Sequence, residues 1–386
     1  MSQTSLLDAF GMSLEEITAL KKMAGDETFG DKGRYARLTT AGRTDELGPY
    51  ITEQLWECTR ILSEVGLYHR MYLVQELTAS KIISPKWDQI LDRIYGDPIA
   101  IRNRVVWLFL HACLQAERDF AFDVCPAHSR EDVLTGRFLE GIKGACASWA
   151  KTASTYLKRT QDVLEVSSID LTVGGGEQKT GGDFALILDI KESHLCPADL
   201  EPSGTALTSG SRGDVFVPLL FQAKCYTGKT ADISQKNETR GYQFNRLRQV
   251  DCASNYIFYE NDEKRIDTPS LPMVKPVSAC KPVETHRSTD VFDQSINFAT
   301  YILRAVNGFD SIPAAKTRED AVNMIFANAS PDTISRITIL GNTSGLSETY
   351  SKALERLLKE IDSAATEPQP PQEDSPDEAP TSRFKP

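Results

Sequence analysis

Histidine is scarce in this chain, five residues among 386. No Gly-x-Ser-x-Gly turn accompanies them, so nucleophilic catalysis relayed through histidine has few candidates. The eight cysteines, spread from Cys58 to Cys280, include no Cys-x-x-Cys and no neighbouring histidine pair. That spacing argues against a zinc site or a disulfide framework and favours buried free thiols. His194 stands two residues before Cys196, a pairing better read as a loop accident than as a metal site. No apolar run approaches the ~20 residues of a membrane helix. The opening Met1-Ser2-Gln3-Thr4-Ser5 lacks the basic start and long apolar core of a signal peptide. A cytoplasmic location without membrane contact is the default expectation. Positive charge is also short: the formal net charge of −11 argues against a protein that coats nucleic acid over its whole surface.

What is present is ordinary globular material, 40% hydrophobic and 25% charged, long enough for two domains. Charge is uneven along it. Residues 221–250 hold six bases, Lys224, Lys229, Lys236, Arg240, Arg246 and Arg248, against two acids, Asp232 and Glu238. The stretch from Thr366 to Pro386 is acidic and rich in proline, the composition of a disordered tail. A local basic patch inside an acidic chain is where a phosphate backbone would be steered.

Residues 1–125 read as a mostly helical region. Leu14 to Leu20 forms a short amphipathic segment, and the polar, glycine-containing stretch from Gly25 to Gly48 reads as loop. Apolar residues at helical spacing follow from Ile51 to Val65 and again from Ile99 to Phe120. Their stripes are core material, and nothing here suggests chemistry. Residues 126–365 form the second unit. Ser129 is expected to cap a helix running to about Leu157, with Glu131 centred on the apolar face of Leu134, Phe138, Ile142 and Trp149. Glu140 points the opposite way. A carboxylate at that place either bonds to the N–H groups of the helix start or reaches over a sheet to a site.

Chemistry-bearing residues concentrate in the stretch Gly181 to Lys224. Gly181-Gly182-Asp183 leads into Phe184-Ala185-Leu186-Ile187-Leu188, and a second apolar run ends Phe221-Gln222-Ala223-Lys224. These are two strands that present Asp183, Gln222 and Lys224 at a common edge. Strand alternation puts Gln222 and Lys224 on one face, while Ala223 turns away and offers its carbonyl. Oxygen ligands of this kind suit Mg²⁺ or Mn²⁺, and a lysine beside them suits a phosphate or an attacking water. The triple glycine at 174–176 leads to a strand and reads as a hairpin turn, with Glu177 as a second acidic candidate or a solvated turn residue. The Ser, Gly and Pro-rich insertion from Lys191 to Asp214 reads as a surface loop or a lid. Glu238 to Val250 reads as a basic helix. Its Gln243 and Arg246, with Lys229 before it, are candidates for nucleic-acid contact, or simply an exposed helix surface. A strand at Tyr256-Ile257-Phe258-Tyr259 follows. Later segments read as a strand region from Pro272 to Val283, helices at Val291–Val306 and Arg318–Ala327, a strand from Ile334 to Leu340 and a final helix from Ser347 to Ile361.

The succession of Gly-Gly-Asp-Phe, Phe-Gln-Ala-Lys, a basic helix and Tyr-x-x-Tyr resembles the PD-(D/E)XK nuclease superfamily, in the variant where Gln replaces the acid before x-Lys. It is similar to bacterial nuclease-like families of the defence type. The resemblance covers roughly 129–260, about a third of the chain. It implies an α/β, restriction-endonuclease-like mixed central sheet flanked by helices. It also implies divalent-metal cleavage of phosphodiesters, with DNA ahead of RNA and a role in restriction or phage defence. In that reading Asp183, Gln222 and the Ala223 carbonyl hold the metal, Lys224 serves the transition state, and Glu131 on the preceding helix helps. A homo-oligomer or a defence-system protein is a further partner class. The replacement of an acid by Gln222 removes a negative charge and weakens metal binding. The alternative is a nucleic-acid-binding or regulatory module that keeps the fold without cutting.

Overall fold

The computed structural model describes residues 11–43, 96–98, 103–126, 129–171, 183–191, 214–237, 241–262, 269–281, 287–306, 312–326 and 334–366. The expected helix at Ile51–Val65, Glu177 and the triple glycine, Gly181 and Gly182, most of the insertion after Lys191, and the acidic tail lie outside them. Helices α1 (Leu14–Met23) and α2 (Asp31–Gly42) come first, then α3 (Arg104–Asp119), α4 (Glu131–Thr152) and α5 (Ser154–Thr160). Strands β1 (Glu165–Asp170), β2 (Phe184–Ile190) and β3 (Val215–Tyr226) follow. Short strands β4 (Thr230–Asp232), β5 (Lys236–Asn237) and β6 (Gly241–Tyr242) lead into α6 (Gln243–Leu247). Next are β7 (Ala253–Glu260), β8 (Met273–Pro276), β9 (Ser288–Asp290) and β10 (Ile296–Asn297). Helices α7 (Phe298–Val306) and α8 (Arg318–Phe326), strand β11 (Arg336–Gly341) and helix α9 (Leu346–Thr366) complete the set.

Seven strands form one mixed sheet in the order β1-β11-β2-β3-β7-β8-β10. Strands β2 and β3 run antiparallel, with Phe184 opposite Phe221 and Ile190 opposite Val215. Strand β7 lies parallel to β3 on its other side, and β11 lies parallel to β2. The α/β class with a mixed sheet flanked by helices is thus as expected. All seven residues of β2 are buried, which is how a strand covered on both faces reads in sequence.

Alternation along β3 divides the core. Val217, Leu219, Phe221 and Ala223 join residues of α1, α3, α4 and α7 in one cluster. Phe216, Leu220 and Tyr226 join α6, α8 and α9 on the opposite face. The described N-terminal helices therefore share a core with the sheet. Among the described residues no helix is long and apolar enough to cross a membrane.

Several local expectations need correction. The stretch read as loop after Gly25 contains a π-helical turn over Ala24–Thr28 and then α2. Two of its glycines mark close packing: a Cβ on Gly30 would strike the Asp26 carbonyl oxygen, and one on Gly33 the Thr28 carbonyl oxygen. Helix α4 starts from Arg130 rather than from a Ser129 cap, and it stops at Thr152 because Ala153 (φ −87°, ψ 11°) leaves the helical conformation. Of the basic helix expected from Glu238 to Val250, the described residues are helical over α6. Gly241 (φ +73°) and Tyr242 are drawn instead into the hairpin in which Lys236 faces Tyr242. The helix expected from Val291 starts at Phe298, because Asp290 Oδ1 first gathers the N–H groups of Phe292 and Asp293 into a turn.

Candidate functional site

Asp183 stands one residue before β2, where its N–H donates to the Phe221 carbonyl at 3.1 Å. Ser335 donates its hydroxyl to the Asp183 carbonyl. Both main-chain groups are thus tied to neighbouring strands, and the side chain is aimed across β3. Its Oδ2 accepts from the Ala223 N–H at 2.7 Å and from Gln222 Nε2 at 2.8 Å. Gln222 Nε2 also donates to the Ala223 carbonyl at 3.1 Å. Three of the residues read from sequence therefore meet within hydrogen-bonding reach of one nitrogen.

Lys224, two residues further along β3, is buried and places Nζ 2.9 Å from Gln235 Oε1 and 3.3 Å from Glu131 Oε2. The other Glu131 oxygen accepts the Cys225 N–H at 3.0 Å. Glu131 opens α4 on the face shared by buried Leu134, Thr135 and Phe138, so the helical periodicity aims it at the end of β3. It meets the site, while Glu140 lies exposed.

Electrostatics follow from burial. Desolvation pushes the Asp183 carboxyl up to about 6, against the Ala223 N–H and the Lys224 charge, which favour the carboxylate; Glu131 adds to the upward push. The Cys225 thiol is held up to about 12, first by burial and then by the Glu131 charge, so it is no nucleophile at neutral pH.

The residues expected to touch nucleic acid separate. Gln243, first in α6, is buried and donates from Nε2 to Gln222 Oε1 at 2.6 Å, so it lies inside the site. Arg246 is half-buried one turn later, and Lys229 is exposed just before β4. Two contributors went unread in the sequence. Gln235 holds Lys224 by its side chain and receives the Gln243 N–H on its carbonyl at 3.0 Å. Arg287 stacks its guanidinium 3.4 Å from the centre of the Tyr242 ring, with Lys236 Nζ 5.4 Å from the same ring. Neither stands in a motif, and Arg287 is far from the site along the chain.

Among the described residues no three His, Cys, Asp or Glu side chains converge in a way that could hold a metal ion. A hard cation at this site would draw on carboxylate, carbonyl and amide oxygens instead. Asp183 Oδ2 and the Ala223 carbonyl already converge on one partner, Gln222 Nε2, and the Gln222 oxygen lies on the same amide. That donor set fits Mg²⁺ or Mn²⁺, which keep several waters and need only one or two carboxylates. Compared with family models, curated proteins and solved structures, the chain matches none.

Proposed function

We propose that the protein hydrolyses phosphodiester bonds of nucleic acid, DNA ahead of RNA, with a divalent cation of the Mg²⁺ or Mn²⁺ kind bound at Asp183. The observation that carries this reading is the convergence of Asp183 Oδ2 and the Ala223 carbonyl on one point, Gln222 Nε2, with the Lys224 ammonium two residues on from Gln222 along the same face of β3. The order of α4, β2, β3 and β7, with the polar residues at one end of the β2–β3 pair, supports a restriction-endonuclease-like core.

Asp183, the Ala223 carbonyl and Gln222 through its oxygen would hold the cation. When bound, such a cation polarises a phosphoryl oxygen and acidifies water beside it. Lys224 sits where its charge offsets the negative charge that builds on the phosphoryl oxygens as water attacks phosphorus and the P–O bond to the leaving oxygen breaks. Glu131 and Gln235 fix that ammonium from two sides, so it needs no reorganisation during the reaction. Arg287 and Lys236, gathered on Tyr242, supply positive charge at the hairpin next to Gln243, where a phosphate backbone would run.

A second reading has its own observation. The Gln222 amide fills the cation's place with an N–H donor and satisfies Asp183 without any ion, as a non-cleaving binding module would. Cleavage of plasmid, single-stranded DNA and RNA with Mg²⁺ or Mn²⁺ separates the two. Wild type is expected to cut, with loss of cutting in Asp183→Ala and Lys224→Ala. Binding without cutting by any form would favour the module, and cutting that survives both substitutions would remove this site from the reaction.

A further inference from the structure

Gln243 is a buried side chain that the proposed chemistry does not use, and its position says something about how the site takes up an ion. A carboxylate and a carbonyl can only accept hydrogen bonds. Gln222 must therefore turn its NH₂ group toward Asp183 Oδ2 and the Ala223 oxygen, as the 2.8 and 3.1 Å bonds show. Its own oxygen then points at Gln243, which has to answer with NH₂, and does so at 2.6 Å. Both glutamines are 2% exposed, so water cannot easily substitute for either partner.

A cation bound by Asp183 Oδ2 and the Ala223 carbonyl reverses this demand. It needs the Gln222 oxygen where the nitrogen now stands. Half a turn of that amide delivers an NH₂ group to Gln243, whose own NH₂ already occupies the contact. Two buried donors facing each other leave both unsatisfied, at a cost comparable to losing the hydrogen bond and the solvation of each group. The conflict is resolved when Gln243 turns as well and offers its oxygen.

We infer that Gln222 and Gln243 are a coupled amide pair that turns together on cation uptake, with Gln243 as the positioning residue that sets which atom Gln222 presents. This rests on the reading of Asp183 as a cation site. A glutamate at position 222 would present oxygen to the ion and to Gln243 in either state. Glutamine instead makes cation entry conditional on a residue of α6. The first N–H of that helix is held by the Gln235 carbonyl, and the Gln235 side chain holds Lys224. Helix α6, the pair and the lysine thus belong to one network.

The test is NMR of the side-chain NH₂ groups in full-length protein labelled with ¹⁵N-glutamine and titrated with Mg²⁺. The two resonance pairs are assigned by their loss in Gln222→Glu and Gln243→Glu. In wild type both pairs are expected to move along one saturation curve. In Gln222→Glu, Mg²⁺ is expected to bind about tenfold more tightly, from the added ligand charge, while the Gln243 pair stays nearly still. If Mg²⁺ moves the Gln222 pair of wild type and leaves Gln243 in place, the coupled turn is overturned and the cation site stands. If Mg²⁺ moves neither pair, or acts equally on Asp183→Asn, the cation reading itself fails and the inference with it.

Discussion

Asp183 has two polar contacts that favour its charge, yet burial outweighs them and pushes the carboxyl from its ordinary value of 3.8 up to about 6. A folded-state value above the unfolded one means that folding holds the proton. The stability this contributes is full at pH below the unfolded value and is lost as pH rises through about 6. A shift of roughly two units corresponds to at most about 3 kcal/mol. Asp183→Asn, which cannot ionise, is therefore expected to melt above wild type at pH ~8 and to lose that advantage near pH ~4. Thermal denaturation across that range measures it. An Asn variant with the same offset at both ends would show that ionisation of Asp183 is not what limits stability. At this scale the sequence was informative where periodicity was strict. Asp183, Gln222 and Lys224 followed from strand alternation, and Glu131 from the helical face of α4. Gln235 did not, because it lies in an irregular stretch between β4 and β5 where spacing carries no direction.

Among the elements, α3 and α7 are joined by a buried acid that no motif announces. Glu117, 0% exposed near the end of α3, accepts from Asn297 Nδ2 at 2.7 Å and from the Ala299 N–H at 3.0 Å. Ala299 is the second residue of α7, whose first turn has N–H groups that the helix itself cannot satisfy. Burial raises the Glu117 carboxyl to about 8 in spite of these bonds. Glu117→Ala leaves one buried and one half-buried donor without their acceptor and is expected to cost on the order of 2–4 kcal/mol in chemical denaturation. Glu117→Gln keeps one acceptor and is expected to cost less. It is also expected to remove the loss of stability that a carboxyl raised to about 8 predicts for wild type as pH rises through that value. An Ala variant as stable as wild type would mean that α7 does not depend on this cap. Element boundaries were least legible where one side chain redirects the backbone. Asp290 turns the chain ahead of α7, and Gly33 lets α2 pack against the π-helical turn in a stretch whose glycines suggested loop.

At the scale of the whole molecule, two cationic regions among the described residues lie at opposite ends of the β2–β3 pair, and one of them adjoins the candidate site. At the far end a hollow of about 600 Å³ beside Phe216 is lined by Lys316, Arg318, Lys352 and Arg356. Three of these four have a carboxylate of their own: Arg318 on buried Asp189, Lys352 on Glu348 and Arg356 on Glu319. Their charge is largely answered within the fold. At the near end, Lys236 and Arg287 lean on the Tyr242 ring beside Gln243. With a net charge of −11, the nucleic-acid binding proposed above would come from such a local patch and involve few phosphates. The logarithm of affinity is then expected to fall with the logarithm of salt concentration at a slope of roughly −2 to −4, since each neutralised phosphate contributes about −0.9. Lys236→Ala and Arg287→Ala are each expected to flatten that slope by about one contact, whereas Lys352→Ala and Arg356→Ala leave it unchanged. Fluorescence anisotropy of a labelled oligonucleotide over a salt series gives the slopes. Flattening by the second pair alone would move the nucleic-acid path to the Phe216 end, roughly 20 Å along the strands from Asp183. Binding there would separate contact from the proposed chemistry. Flattening by the first pair keeps the bound backbone and the Asp183 site on the same edge of the sheet.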